Sequence, residues 1–465
     1  MHVIATKHEQ MRGEILNGNI EKTLLRLAYP LIFFNLIFIL YNLTDTFWLG
    51  KLGREAVSAP TVSFPLIWTM MSFGSGFAVA GFAFVSQYAG AAQWDKAKHH
   101  IANLLSLMFF SSLLLGVIGF FIAPWILFVL GVPADAYTNA VTYLRVMFLG
   151  IPFSFEGFAF SFALRAIGDT KTPTIINSFA ILLNVTLDPF LIFGIGPFPK
   201  LEVLGAALAT IIAYSIASIV SMYFVFSGKL GITFSLSEFK PDFSLYKKLF
   251  IVGVPASIGQ SLNALGFVIV IGIVSHFGSI VIAAYGIGQR IINLIFTVSD
   301  GISMAMSTMV GQNLGAQNFS RIRTIVQKTI VINTILISIP TIIIFFLRTK
   351  VFGIFINDPL VISEGSIFYT YFLIAMPFFG LFFISTSVVS SAGRTRESMV
   401  LGVIRVWGFR VPFAYFLSTL WGTQGIWIGM ALSNIVGAGF AYLWYKRETW
   451  RKTVTKGDVV PPSQS

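Results

Sequence analysis

Cysteine is absent, and charged side chains make up only 11% of the chain, with 19 Asp and Glu among 465 residues. Without a thiol there is no disulfide, no cysteine nucleophile and no cysteine metal site. So small a charged fraction beside 56% apolar residues could not cover a globule in water, so lipid must be the solvent for most of the chain. Histidine is scarce as well: His2, His8, His99, His100 and His276 fall in the tails or at the ends of apolar runs. No His-Glu-x-x-His helix and no Gly-x-Ser-x-Gly elbow lies in an apolar run. This argues against an intramembrane protease or transferase, and the expectation is a protein that is not an enzyme. A cleavable signal peptide is not expected either, because Met1 to Lys22 is polar and mixed in charge.

What is present is long apolar runs. Segments of about 20 mostly apolar residues suffice to cross the hydrocarbon core. Twelve are expected, near 25–49, 56–84, 97–123, 137–163, 173–194, 203–227, 249–275, 281–309, 325–347, 361–390, 397–420 and 424–445. The net charge of +12 is no nucleic-acid signal, because the basic residues lie in the short connectors between these runs. One side holds Lys96, Lys98, Arg165, Lys171, Lys229, Lys240, Lys247, Lys248, Arg321, Arg323, Lys328, Arg394, Arg396 and Arg405, together with both basic termini. The other side holds only Lys51, Arg54, Lys200, Arg348 and Lys350. That bias places both termini in the cytoplasm of a multi-pass protein of the cell membrane.

The punctuating residues repeat at an offset of 225 positions. Pro30 returns as Pro255, Gly53 as Gly278, Gly76 as Gly301, Gln87 as Gln312 and Gly90-Ala91 as Gly315-Ala316. Further along, Pro152-Phe153 returns as Pro377-Phe378, and Gly168 and Thr170 as Gly393 and Thr395. Late in the second copy Gly205 corresponds to Gly425, so about five residues are missing from the last connector. The expected architecture is an all-α polytopic membrane protein of 12 transmembrane helices, in two six-helix lobes related by a pseudo-two-fold axis. The expected divisions are an amino-terminal lobe over 1–228, a cytoplasmic connector over 229–248, a carboxyl-terminal lobe over 249–445, and a cytoplasmic tail over 446–465.

An ionisable group inside the bilayer is costly and needs a reason. The acidic candidates are Asp45, Glu156, Asp188 and Asp300. Tyr41 precedes Asp45, and Asn184 precedes Asp188, at the i, i+4 spacing that places each pair on one helix face. Thr210, in the returning sixth span, lies at a depth comparable to Asp188. Two carboxylates, an amide and hydroxyls at one depth can hold Na⁺ at Asp45, Asn184, Asp188 and Thr210, or a proton shared between neighbouring carboxylates. Pro30, about four turns before Asp45, removes a backbone hydrogen bond and marks a place where span one can bend. Arg145, Arg290 and Arg410 are either counter-ions for Glu156 and Asp300 or snorkel to a membrane surface. The carboxylates do not repeat: at the 225 offset Asp45 faces Val270 and Asp188 faces Phe413.

With these features the chain resembles the multidrug and toxic compound extrusion (MATE) transporters, and archaeal members most closely. The resemblance runs from about residue 20 to 445 and rests on several runs. These are Ala28-Tyr-Pro30, Asn42-Leu-Thr-Asp45-Thr-Phe-Trp-Leu-Gly50, Arg165-Ala-Ile-Gly168-Asp-Thr170, Asn184-Val-Thr-Leu-Asp188-Pro-Phe-Leu-Ile-Phe-Gly194 and Gly205-Ala-Ala-Leu-Ala-Thr210. It implies a secondary active efflux antiporter that exports bulky, often cationic, organic compounds in exchange for H⁺ or Na⁺. It also implies a coupling site in the amino-terminal lobe at Tyr41, Asp45, Asn184 and Asp188, with Tyr143 adding a hydroxyl. A second site of the kind placed in spans seven and ten is not expected, since those spans hold only Glu364, at an outer edge. The alternative is a lipid-linked oligosaccharide flippase of the same superfamily, which would want several Arg or Lys at membrane depth to meet a pyrophosphate. The remaining expectations are small organic substrates, a lipid bilayer, a monomer, no nucleic acid, and no cofactor beyond the coupling ion.

Overall fold

The computed structural model describes residues 2–52, 54–229 and 234–455. Gly53, residues 230–233 of the connector and the last ten residues of the tail lie outside them. Among the described residues every regular element is helical, because a backbone in hydrocarbon must satisfy its own N–H and C=O groups.

The first half contains α1 (His2–Asn17), α2 (Ile20–Gly50), α3 (Arg54–Gly90), α4 (Trp94–Val129), α5 (Ala134–Ala166), α6 (Lys171–Phe193) and α7 (Glu202–Phe226). A 3-10 turn at Leu236–Phe239 leads into the second half. There follow α8 (Phe243–Ser275), α9 (Ser279–Gly315), α10 (Phe319–Phe355), α11 (Pro359–Phe372), α12 (Met376–Ser391), α13 (Thr395–Val403) and α14 (Val411–Lys446). Between α13 and α14, Ile404–Arg410 is wound as a π-helix. Among the described residues, eleven helical segments are long and apolar enough to span a bilayer. The last of them, Thr395–Lys446, is broken at Trp421 and at Gly422, whose φ of +58° favours glycine. It therefore holds two spans, and the count is twelve. The helices overrun the expected spans at their polar ends, α3 by six residues to Gly90 and α9 by six to Gly315.

The repeat extends to single hydrogen bonds. Ala91 N, Ala92 N and Gln93 N donate to the carbonyls of Gln87, Ala89 and Tyr88, and Ala316 N, Gln317 N and Asn318 N donate to those of Gln312, Leu314 and Asn313. Ala92 and Gln317 share the left-handed conformation, with φ of +58° and +57°, and so do Gly168 and Gly393 at the next equivalent turn.

Packing divides the chain into two units, Met1–Gly13 with Phe33–Ser257, and Glu14–Ile32 with Ile258–Ser465. Hydrophilicity alone places the divide in the 229–248 connector. Packing instead cuts inside α2 and α8, two or three residues past Pro30 and Pro255. The duplicated glycines explain where. In the first unit Gly76 is seated against Ser257, whose hydroxyl donates to the Phe73 carbonyl at 2.9 Å. In the second, Gly301 is seated against Ile32. Ile32 and Ser257 are themselves 225 apart, so each half lends the entry of its first helix to the other unit by the same contact. A side chain on either glycine would occupy that seat.

In the first unit α5 packs against α3, α4 and α7, and α6 against α7. The second unit repeats this with α9, α10, α11 and α12 in contact and with α12 against α14. The connector and tail, expected as plain hydrophilic segments, are strapped down. Lys98 pairs with Glu238 at 2.6 Å, His99 Nε2 meets Asp242 Oδ2 at 3.1 Å, and the Asp242 amide donates to Asn103 Oδ1 at 2.9 Å. In the second unit Trp450 is fully buried and stacks on Tyr445.

Candidate functional site

Glycine builds the site. The backbone N–H of Leu201 donates to the Leu191 carbonyl at 3.0 Å, closing the α6–α7 hairpin, and Gly194 caps α6 at φ +72°. Gly205 then lies directly against the Leu191 carbonyl, where any Cβ would collide with backbone. This close approach brings Thr210, on the same stretch of α7, up to Asn184 on α6. Asn184 Nδ2 donates to Thr210 Oγ1 at 3.2 Å, and the Thr210 hydroxyl donates to the Ala206 carbonyl at 3.1 Å.

One turn beyond Asn184 lies Asp188, 0% exposed. Neither of its carboxylate oxygens has a hydrogen-bond partner, and neither does Asn184 Oδ1. Pro189 follows at once and supplies no N–H to the Val185 carbonyl. Three buried acceptor atoms thus stand together on consecutive turns of α6 without donors. A buried carboxylate without compensation is expensive, and the two species that relieve it here are a proton and a cation.

The other expected residues converge on the same place. Asp45, half-buried on α2, lies within electrostatic range of Asp188. Tyr143 on α5 is buried and within range of both carboxylates. Tyr41 is within range of Asp45 and Tyr143 and faces the Thr210 hydroxyl. Sequence reasoning missed Tyr214, which also faces Asp45. The signal was available: Tyr214 follows Thr210 at i+4, the spacing that had linked Tyr41 to Asp45 and Asn184 to Asp188. Among the described residues no three His, Asp or Glu converge. The two carboxylates therefore draw on amide and hydroxyl oxygens, the donor set of a hard monovalent cation or of a shared proton.

The remaining intramembrane groups separate. Glu156 on α5 is buried, its oxygens make no hydrogen bond of good geometry, and the Ser218 hydroxyl is the group within reach. Ser218 continues the Thr210–Tyr214 face of α7 by one more i+4 step. Asp300 is half-buried on α9. Arg145 is neither exposed nor paired with an acid: its Nε donates to the Phe120 carbonyl at 3.2 Å, over the Phe120 ring. Arg290 is exposed. Arg410 is buried in the π-helix, and Arg405, expected among the cytoplasmic basic residues, is instead buried there with it. Pro30 lies inside α2 as expected.

A twelve-span helical bundle with an uncompensated acidic cluster at membrane depth defines a multi-span membrane transporter. The family model described as MatE matches the chain twice, over residues 30–190 and 255–416, and the chain belongs to that family. A probable multidrug resistance protein of Bacillus subtilis, YpnP, is 28% identical over 94% of this chain and 97% of its own length. A protein of Shewanella oneidensis named FAD transporter is 26% identical over 91% of this chain and 94% of its own. Among solved structures, that of MATE in complex with MaL6 superposes with a TM-score of 0.88 at 22% identity, covering 95% of this chain and 99% of that one. That likeness concerns the fold.

Proposed function

We propose that the protein is a secondary active multidrug efflux antiporter, exporting small organic compounds in exchange for H⁺ or Na⁺. Membership of the family and the names of its relatives support the cargo class. The observation that carries the coupling site is the trio of donorless buried acceptors, Asn184 Oδ1 with both Asp188 oxygens, beside Asp45. Asp45 and Asp188 take the ion. Asn184, Thr210, Tyr41 and Tyr143 shape its oxygen shell, and Asp45, Asn184, Asp188 and Thr210 are the ligands where the ion is Na⁺. Tyr214 joins that set. Binding removes negative charge from the cluster and releases the Asn184–Thr210 bond to rearrange. Span one then shifts about Pro30, the position from which α2 passes into the other packing unit. The ion leaves toward the cytoplasm along the α7 face, past Ser218 and Glu156. An ion or substrate moves this equilibrium only by its differential affinity for the two states.

In this reading the working lobes are residues 1–228 and 249–445, both termini are cytoplasmic, and the protein acts as a monomer in the cell membrane without a resident cofactor. The test is efflux of a fluorescent organic cation from proteoliposomes, with pH and Na⁺ gradients imposed separately. The parent responds to one of the two gradients, and Asp45→Asn and Asp188→Asn each lower the gradient-driven rate by about tenfold or more. Parent-like efflux in both variants refutes the coupling site.

A further inference from the structure

The carboxyl-terminal unit carries charge of the opposite sign at the corresponding place. Arg405 and Arg410 are 3% and 2% exposed, both on the π-helix Ile404–Arg410. Arg405 Nη1 and Arg410 Nη2 both donate to one acceptor, Asn434 Oδ1, and Arg410 Nε donates to Ser433 Oγ at 3.2 Å. Three hydrogen bonds thus serve two guanidinium groups with about five N–H donors each. Arg405 Nε is buried without an acceptor, and so is Asn434 Nδ2. The Arg405 guanidinium lies over the rings of Phe382 and Phe379, at 4.5 and 5.3 Å, and that of Arg410 over Phe267 at 5.4 Å.

Among the described residues no acid pairs with them. The ion pairs found among this unit's described residues join Glu14 to Arg26, Glu21 to Lys328, Glu397 to Arg394, and Glu448 to Arg323 and Arg451. Both buried arginines are left out. Aromatic faces offset part of the cost of a buried cation, but two adjacent guanidinium charges at membrane depth still lack about one counter-charge each. Guanidinium stays protonated, so proton loss cannot relieve this in the way that proton uptake relieves a carboxylate. The winding is also unusual: π turns are rare and gather at functional sites.

The register makes the correspondence specific. The two family matches begin 225 residues apart, at 30 and 255, and end 226 apart, at 190 and 416. Gly205 is seated on the Leu191 carbonyl and Gly425 on that of Leu417, again 226 apart for the carbonyls. One residue has entered the second copy, as a π turn requires. At that offset Arg410 stands where Asn184 stands in the first unit, and at the Gly205–Gly425 offset Asn434 stands where Tyr214 does.

We propose that Arg405 and Arg410, with Asn434 and Ser433, form a receptor for an oxyanion, the phosphate or carboxylate of a transported compound. The guanidinium forks bind it bidentately, Arg405 Nε and Asn434 Nδ2 supply the idle donors, and the phenylalanine rings flank its organic part. That the ligand is cargo rests on the transporter reading; the receptor itself is tested by binding, without a gradient. The full-length protein, in nanodiscs of phosphatidylcholine and phosphate-free buffer, is titrated with naphthyl phosphate and with uncharged naphthol by fluorescence. Naphthyl phosphate is expected to bind about tenfold tighter or better, with inorganic phosphate competing. The R405Q/R410Q double variant should erase the difference, and R405K/R410K should keep only part of it. Should the glutamine variant fail to fold, Asn434→Asp gives the arginines an internal counter-ion and should weaken naphthyl phosphate while sparing naphthol. A parallel titration in phosphatidylglycerol nanodiscs separates the sources: a lipid headgroup using the receptor competes with the probe, and a receptor for free phosphates is unaffected. Equal affinities for the two probes in the parent, failure of both to bind, or the parental difference surviving in R405Q/R410Q or in Asn434→Asp overturns the proposal. Absent ion-driven efflux would defeat the antiporter reading and leave the binding result standing.

Discussion

The two units are built on one plan and charged in opposite senses. In the first, α6 is a regular helix that presents Asn184 and Asp188 to α7. In the second, the equivalent helix widens into a π turn and presents Arg405 and Arg410 to the returning half of α14. Seats that make the scaffold are held in common: Gly76 with Gly301, Gly205 with Gly425, and the turns at Ala92 and Gln317. Duplicated packing constrains small residues equally in both copies, whereas a buried charge is constrained only by its own neighbours. The copies were therefore free to diverge in charge while remaining alike in shape, the first keeping buried carboxylates and the second buried arginines.

The shared hairpin closure is most sensitive at its glycines. Gly205→Leu and Gly425→Leu each place a side chain against backbone that cannot yield, and each should cost about 3 kcal/mol of stability. Thermal unfolding in detergent checks this, and a parental Tm in either variant would mean that the two hairpins are not closed alike. The contrast in winding is sharpened by Pro412, which follows the π turn and provides no N–H for the Gly408 carbonyl. Pro412→Ala permits α winding, which rotates Arg405 and Arg410 out of register with Asn434. The affinity for naphthyl phosphate should fall severalfold while the pH or Na⁺ response of the first unit stays as in the parent.

The smallest effect concerns the connector, which α4 of the first unit holds down. The bond from His99 and the amide of Leu245 hold the Asp242 carboxyl below its usual range. Glu238 is also brought below its range: burial pushes it up, but Lys98 and the Ser235 amide outweigh that. A carboxylate depressed by folding stabilises the fold above its unfolded pKa of about 4, and the contribution is lost as pH falls further. Asp242→Asn should therefore flatten the acid limb of stability below about pH 4 and cost less than about 1 kcal/mol at neutral pH, since the pair is solvated. A proteolysis profile of the connector against pH reads it, and an unchanged acid limb would show that the strap adds nothing.

Much of this was legible along the chain. Twelve apolar runs, the 225-residue repeat and the i, i+4 pairing of Tyr41 with Asp45 and Asn184 with Asp188 all depend on local periodicity, which helices preserve. Tyr214, at i+4 from Thr210, is equally local. Arg405 was misplaced because a basic residue only eight positions past the start of the expected span 397–420 looks like the edge of a connector, and only its contacts with Asn434, Phe379 and Phe382 show it buried. The exchange of helix entries past Pro30 and Pro255 was illegible, since an apolar half-helix packs equally well on either unit until a particular glycine offers it a seat.

The sequence by itself determined that the chain lives in lipid, that it spans twelve times, and that one copy of a duplicated plan carries unrepeated carboxylates. These follow from hydrophobicity and from the cost of burying charge, which act residue by residue. Tertiary structure alone decided that Asn184 meets Thr210, that three acceptors on α6 are left without donors, and that two arginines share one amide oxygen. Those outcomes depend on helices approaching within a few ångströms at Gly205 and Gly425, and on one extra residue being absorbed as a π turn. Such distances are set by the packing of surfaces far apart in sequence, which no local pattern records.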